Sequence, residues 1–240
     1  MQVTHTISGE GSVFFQIQAL IIQRIIDGIW PPSERLPSEF ALAKEFKVLQ
    51  GTVRKSIDTL IHKNLLIRHQ GRDTFVSSHS DQREFFWFCH HVENNNISQS
   101  PQTSHLISHQ RRKCSPKESK HLKISKAAYT QNIRPVRSMC GIPFIIENIV
   151  VPDALITELE KETGIPNELY QLYEQAYSEN IHKVVEHFPA GTLTHSKATY
   201  LSLQEGDPLL EIDGLAATLD GTPVEWSVSR CYTSAHSYIK

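Results

Sequence analysis

The stretch from Arg35 to Val76, RLPSEFALAKEFKVLQGTVRKSIDTLIHKNLLIRHQGRDTFV, constrains this chain more than any other. Ser38 follows Pro37 and precedes Glu39, the place of an N-cap for a helix that carries Leu42, Ala43 and Phe46 inward. A second helix starts near Gln50 to Thr52. Its Val53, Ile57 and Leu60 recur at helical spacing and form one apolar stripe, which turns Gln50, Arg54 and Lys55 away from the core. Leu65, Leu66 and Ile67 begin a strand, Gly71 permits a tight turn, and Phe75-Val76 return. Helix, turn, helix and β-wing is the geometry of a winged DNA-binding module.

That module needs only part of the chain. At 240 residues the sequence is long enough for two domains of about 100–200 residues each. An apolar fraction of 39% is adequate for buried cores, and a net charge of −2 gives no chain-wide basic field. The distribution says more: residues 44–76 hold seven Lys/Arg against three acids, a local 7 − 3 = +4. A locally basic surface on a near-neutral protein suits a regulator that must release its site. Ile21-Ile22 and Ile25-Ile26 are interrupted by polar residues, so no membrane span is expected. The N-terminal MQVTHTISGEGSV lacks a signal-peptide core. The scattered Cys89, Cys114, Cys140 and Cys231 then read as free thiols in a reducing cytoplasm.

In chain order, residues 1–12 are expected to be loose, and Phe14, Ile17, Ile21 and Ile25 form a support helix ending near Gly28 and Pro31-Pro32. Ser77 to Arg83 lacks periodicity and reads as a linker. The expected domains are 1–76, a winged helix-turn-helix, and 84–240, with 77–83 between them. In the second, Phe85–Cys89, Leu106-Ile107, Gln131–Arg137 and Phe144–Val151 read as strands. Pro116–Leu122 and Glu168–Tyr177 read as helices. Another helix is expected from Pro152-Asp153, capped by Asp153, through Leu155, Ile156 and Leu159 to Gly164. Leu209–Thr218 and Val224–Tyr232 pair as a hairpin, with Asp220-Gly221 as a turn of two positive φ angles. Strands interleaved with short helices make an α+β sheet domain.

The order L-P-S-E, T-V-R, a Leu-rich turn and R-x-Q-G-R-x-T-F-V resembles the GntR family of bacterial transcription regulators, from about Phe14 to Val76. The chain differs from that pattern at Phe40, Leu49-Gln50 and Asp73, so two arginines with which the family reads base or phosphate are missing. From residue 85 onward it resembles the UTRA effector-binding domain of the HutC branch. The pieces are R-x-x-x-G-I-P-x-x-x-E from Arg137 to Glu147, V-V-P at 150–152, L-Y at 169–170, G-D-P-L-L at 206–210 and D-G-T-P-V-E-W-S at 220–227. A family Arg is Pro135 here, with Arg134 one step off register, and the closing Asp-Arg is Ala235-His236. The resemblance implies a fold like chorismate lyase used for ligand sensing, a homodimer, and regulation rather than catalysis.

Residue chemistry and resemblance together give the site candidates. For DNA they are Arg35, Ser38, Glu39, Gln50, Thr52, Arg54, Lys55, Gly71, Arg72 and Thr74. Arg54 can grip phosphate or guanine, Gln50 can read adenine, and Arg72 stands at the wing tip. Glu39 suits the first turn of its helix, or orients a nearby Arg such as Arg35. For the effector, Arg137 offers a planar fork to a carboxylate or phosphate, and Glu147 and Glu225 accept from hydroxyls, amines or an imidazole N–H. The resemblance adds Thr103, Ser104, Tyr170 and Tyr232. His90-His91, His105, His109, Cys89 and Cys114 do not have the spacing of a tetrahedral site, so neither a metal nor another cofactor is expected. The reading is a ligand-responsive DNA-binding regulator whose partners are double-stranded operator DNA and a small anion, a carboxylate such as urocanate or a sugar phosphate. The alternative is a sensor with a degraded DNA module acting through a protein partner.

Overall fold

The computed structural model describes residues 12–69, 73–78, 91–93, 103–139, 141–156, 169–177, 181–232 and 236–238. The chain divides into two compact units, Met1–Arg83 and Glu84–Lys240.

The first unit packs three helices and a two-stranded wing. Helix α1 spans Val13–Ile26, α2 Glu39–Phe46 and α3 Gln50–His62; strand β1 spans Leu66–Arg68 and β2 Thr74–Val76. Ser38 caps α2 by accepting from the Ala41 N–H at 3.1 Å. The helix stops at Lys47, in the left-handed conformation. The core is Ile17 and Ile21 of α1, Leu42, Ala43 and Phe46 of α2, and Val53, Ile57 and Leu60 of α3, closed by Leu65, Leu66 and Val76. Ser56 ties α3 to α1 by donating to the Phe14 carbonyl at 3.2 Å. In the wing Leu66 pairs with Val76 and Arg68 with Thr74. Ser77 and Ser78 are buried, and the Ser77 N–H donates to the Leu65 carbonyl, so the expected linker begins with a residue hydrogen-bonded into this unit.

The second unit is built on an antiparallel sheet. Its strands are β4 (Thr103–Lys113), β5 (Tyr129–Met139), β6 (Ile142–Pro152), β7 (Ile181–His187), β8 (Ala190–Thr192), β9 (Pro208–Thr218) and β10 (Pro223–Cys231). Their order is β4-β5-β6-β10-β9-β7, with β8 also on β9. A separate pair joins β3 (His91–Glu93) to β11 (His236–Tyr238). Helix α4 (Pro116–Leu122) opens on a capping box between Ser115 and Glu118; α5 spans Leu169–Tyr177 and α6 His195–Leu201.

Alternation along β6 sorts the helices onto two faces. Ile149 and Val151 pack with Leu169, Tyr170 and Tyr173 of α5. Ile146 packs with Ala198 and Leu201 of α6, and Val150 with Leu122 of α4. Thus α5 covers the face on which Glu147 also lies.

Three local expectations change. Residues 153–155 form a turn rather than a helix start. The Asp153 carboxylate is taken by Arg111, at 2.8 Å, and Gln131, at 2.7 Å, instead of capping. The remainder of that expected helix, residues 157–164, lies outside the described residues, as does the expected strand at 85–89. In the β9–β10 hairpin only Gly221 has a positive φ, +85°, and Asp220 does not. The Gly221 N–H donates to the Thr218 carbonyl and Asp220 accepts from the Thr222 N–H, so Leu219 joins a longer turn with glycine at its left-handed position. Finally, β4 is far longer than Leu106-Ile107, and it bulges between Leu106 and Ser108, where Pro135 of β5 has no N–H to offer.

Candidate DNA-binding face and effector site

On the first unit, α3 exposes Gln50, Arg54 and Lys55, while Thr52 is half-buried. Arg54 Nε donates to Glu39 Oε2 at 2.9 Å, and Arg68 of the wing reaches Glu39 Oε1 at 3.3 Å and Asp58 at 3.1 Å. Glu39 therefore orients Arg54 and Arg68, not Arg35, which pairs with Asp73 at 3.2 Å. Engaging Nε leaves the terminal NH2 groups of Arg54 as donors for an outside acceptor. Lys55 lies over the Phe14 ring at 5.5 Å. The Ser38 hydroxyl is used as the helix cap, and Thr74 lies in the wing strand, where its carbonyl accepts from the Leu36 N–H. Gly71 and Arg72 lie outside the described residues. Sequence reasoning named no role for Phe40 or Leu49, yet they are 69% and 80% exposed at the starts of α2 and α3.

On the second unit, sheet register assembles the polar cluster. Ser229 stands directly opposite Glu147 across β10 and β6. Arg137 of β5 stands opposite Ser104 of β4 and Ile145 of β6. Arg137 Nε donates to Glu147 Oε2, and Ser229 Oγ donates to Glu147 Oε1 at 3.1 Å. Two residues along the pleat from Ser227, Glu225 presents its carboxylate to α5. There Tyr173 OH donates to Oε2 at 2.8 Å, and Tyr170 OH lies 3.5 Å from Oε1.

Glu147 and Glu225 are 6% and 3% exposed, so both carboxylates are inside the protein. Burial pushes the Glu225 carboxyl up to about 7; the Tyr173 hydrogen bond opposes this, and the Glu147 charge adds to it. Burial and Glu225 push both Tyr170 and Tyr173 well above the ordinary phenol range, so they act as neutral donors. The arrangement can take a ligand with an acidic group at Arg137 and hydroxyl or N–H donors at the carboxylates.

Of the expected effector residues, Arg137, Glu147, Tyr170 and Glu225 are brought together, with Ser104 beside Arg137. Strand β4 starts at Thr103, whose side chain lies outside the described residues. Tyr232 packs with Val136, Ile146 and Leu193, away from the carboxylates. Tyr173 and Ser229 were missed: one reads as a helix core position, and the other has no motif around it. Among the described residues no group of three or more His, Cys, Asp or Glu could hold a metal ion. His109 bonds Gln131, and Cys114 donates to the Ser125 carbonyl. No helix among them is long and apolar enough to cross a membrane.

Two family models match these two units, the bacterial regulatory proteins of the gntR family over residues 15–76 and the UTRA domain over residues 100–237. The chain belongs to the GntR family, in its UTRA-bearing HutC branch. Its fold class is the expected one, a helix-turn-helix unit followed by an α+β domain with a large antiparallel sheet. The HTH-type transcriptional repressor NagR of Bacillus subtilis is 27% identical over 90% of this chain and 89% of that one. The histidine utilization repressor of Pseudomonas putida is 33% identical over 32% of each chain. YydK of Bacillus subtilis superposes with a TM-score of 0.55 over 95% of this chain and 97% of that one, at 21% identity. GntR regulators bind operator DNA and UTRA domains bind small-molecule effectors, so this chain is a ligand-responsive transcription regulator of a family that is not enzymatic.

Proposed function

We propose that this regulator is a cytoplasmic repressor that binds a two-fold symmetric operator as a homodimer and leaves it when a small anion occupies the Arg137 cluster. The observation that supports the effector reading is the Arg137 guanidinium set among two buried carboxylates and two tyrosine hydroxyls on one sheet face. Arg137 already faces Glu147, so an anion alone gains little there. A ligand that also donates hydrogen bonds to Glu147 and Glu225 gains on both counts. Sugar phosphates and urocanate each combine an acidic group with such donors. The relatives named for a repressor role support the sign of regulation.

On the DNA side, Arg54 of α3 reads a base edge in the major groove. Arg54→Ala is expected to weaken binding to the best selected operator by about 1–3 kcal/mol, the worth of one bidentate base contact. Lys55→Ala is expected to weaken all sequences alike and to reduce the salt slope by about one unit. Equal affinity of Arg54→Ala and the unaltered protein would remove α3 from the major groove.

Linkage gives the test of the whole reading. If the ligand releases operator, operator must weaken the ligand by the same factor, about 5–150-fold for couplings of ordinary size. Calorimetry with carboxylates and sugar phosphates, with and without saturating operator, measures it. Ligand affinity that is unchanged by operator would end the repressor mechanism. Tight binding of a neutral or cationic compound, undisturbed by Arg137→Lys, would end the anion assignment.

A further inference from the structure

Three residues in the first turns of α2 and α3 burden the free protein. Leu49 holds the N-cap position of α3, where its side chain makes no cap hydrogen bond, and 80% of it faces solvent. A serine there would accept an N–H of the first turn and expose no large apolar surface. Gly51, two residues on, lies inside the helix. Its φ is not positive, and nothing stands within 4 Å of where a Cβ would be, so neither conformation nor packing calls for glycine. Phe40 is 69% exposed next to Glu39, whose carboxylate holds Arg54 of the same α3. Val53, Ile57 and Leu60 show that α3 buries its own apolar stripe elsewhere. Rules of local stability broken together, without a gain inside the chain, mark a surface designed for something outside it.

On a helix-turn-helix that outside body is the major groove, since the N-terminal residues of the second helix meet base edges there. The groove offers an aliphatic side chain one apolar feature, the 5-methyl group of thymine. Glycine serves where backbone must come close to a ligand. We propose that Leu49 is a base-reading residue that packs on a thymine methyl in each operator half-site, and that Gly51 lets the start of α3 approach closely enough for it to do so. This rests on the DNA-binding reading above. It assigns part of the operator code to apolar contact, on the turn that precedes Arg54.

The test uses the full chain. A duplex is selected from a random pool, and each thymine of the selected site is then replaced singly by deoxyuridine, which deletes the methyl and leaves the base pair's hydrogen-bonding edge intact. At one position of each half-site the unaltered protein is expected to lose about fourfold in affinity, the ~0.8 kcal/mol of one buried carbon group. Leu49→Ser is expected to lose nothing at that position, while its own helix, now capped, unfolds at a higher temperature. Gly51→Ala is likewise expected to unfold later, yet to bind the selected operator more weakly. If the unaltered protein tolerates deoxyuridine at every position, or if Leu49→Ser suffers the same loss, the inference is overturned. Failure to enrich any duplex at all would instead overturn the DNA-binding reading, and this inference with it.

Discussion

Arg137→Ala is expected to destabilise the second unit by about 3–5 kcal/mol, because it strands a buried carboxylate without its cation. Glu147 is 6% exposed, and its two oxygens are held by Arg137 and Ser229. Ser229 alone satisfies one oxygen but supplies no charge. The neighbours of Glu147 on the same face of β6, Ile145 and Ile149, are buried and apolar, so that strand offers the stranded group no other polar partner. Replacing both partners together, Arg137→Leu with Glu147→Leu, is expected to recover most of the loss, since an apolar pair of similar size often matches a buried ion pair. Urea unfolding of the two variants and the unaltered chain checks this. A loss below about 1 kcal/mol for the single variant, the worth of an exposed pair, would show that the Arg137–Glu147 contact is structurally idle. The consequence for ligand work is direct: effector binding by an Arg137 variant must be measured where the variant is shown to be folded. Arg137→Lys, which keeps the charge and loses the fork, separates recognition from stability.

How far the sequence revealed this depended on whether the signal was local. Ser38, the Val53-Ile57-Leu60 stripe and the Phe75-Val76 return each act within a few residues, and α2, α3 and the wing stand where those signals put them. Tertiary partners were not legible in that way. Glu39 stands in the first turn of α2, where its charge complements the helix dipole, but Arg35 is not its partner. Its actual partners are 15 and 29 residues away, and they meet it only once α3 and β1 have packed. Ser229 gained its role from standing opposite Glu147, 82 residues earlier in the chain. Tyr173 has the spacing of a buried helix position, and it is one, but its hydroxyl continues past the core to Glu225. Strand β4 was underestimated because its His105, Gln110, Arg111 and Arg112 break up the apolar pattern. An outer strand of a sheet keeps polar residues, and its length is set by pairing with β5. The Asp220-Gly221 pair implies a two-residue turn, whereas the loop takes in Leu219 as a third residue. The resemblance placed Arg137, Glu147 and Glu225 on one ligand, and the register gives the reason they share a face.

Glu225 is expected to make the second unit less stable as pH rises from about 4.5 to about 7. The sign follows from linkage. In the unfolded chain the carboxyl titrates at its ordinary 4.5; in the folded protein burial raises it to about 7. Between those values the folded state holds a proton that the unfolded state has released, so raising the pH favours unfolding. The contribution is fully present below 4.5 and is lost as pH climbs through 7. A difference of 7 − 4.5 = 2.5 pH units corresponds to about 3 kcal/mol at 1.36 kcal/mol per unit. The group is 3% exposed, so solvent screening does little to reduce this. Glu225→Gln keeps an oxygen for the Tyr173 hydroxyl and cannot ionise. It is therefore expected to match the unaltered chain at pH 4.5 and to exceed it by about 3 kcal/mol at pH 8. Thermal unfolding of both proteins across that range decides the matter, and parallel curves would show that Glu225 titrates as an ordinary carboxyl. A ligand that donates to Glu225 favours its charged form, so binding would expel the proton and oppose this loss of stability. On the effector reading proposed for the Arg137 cluster, that makes Glu225 a strained acceptor relieved by the right donor, which is how a buried carboxylate can favour an occupied site over an empty one.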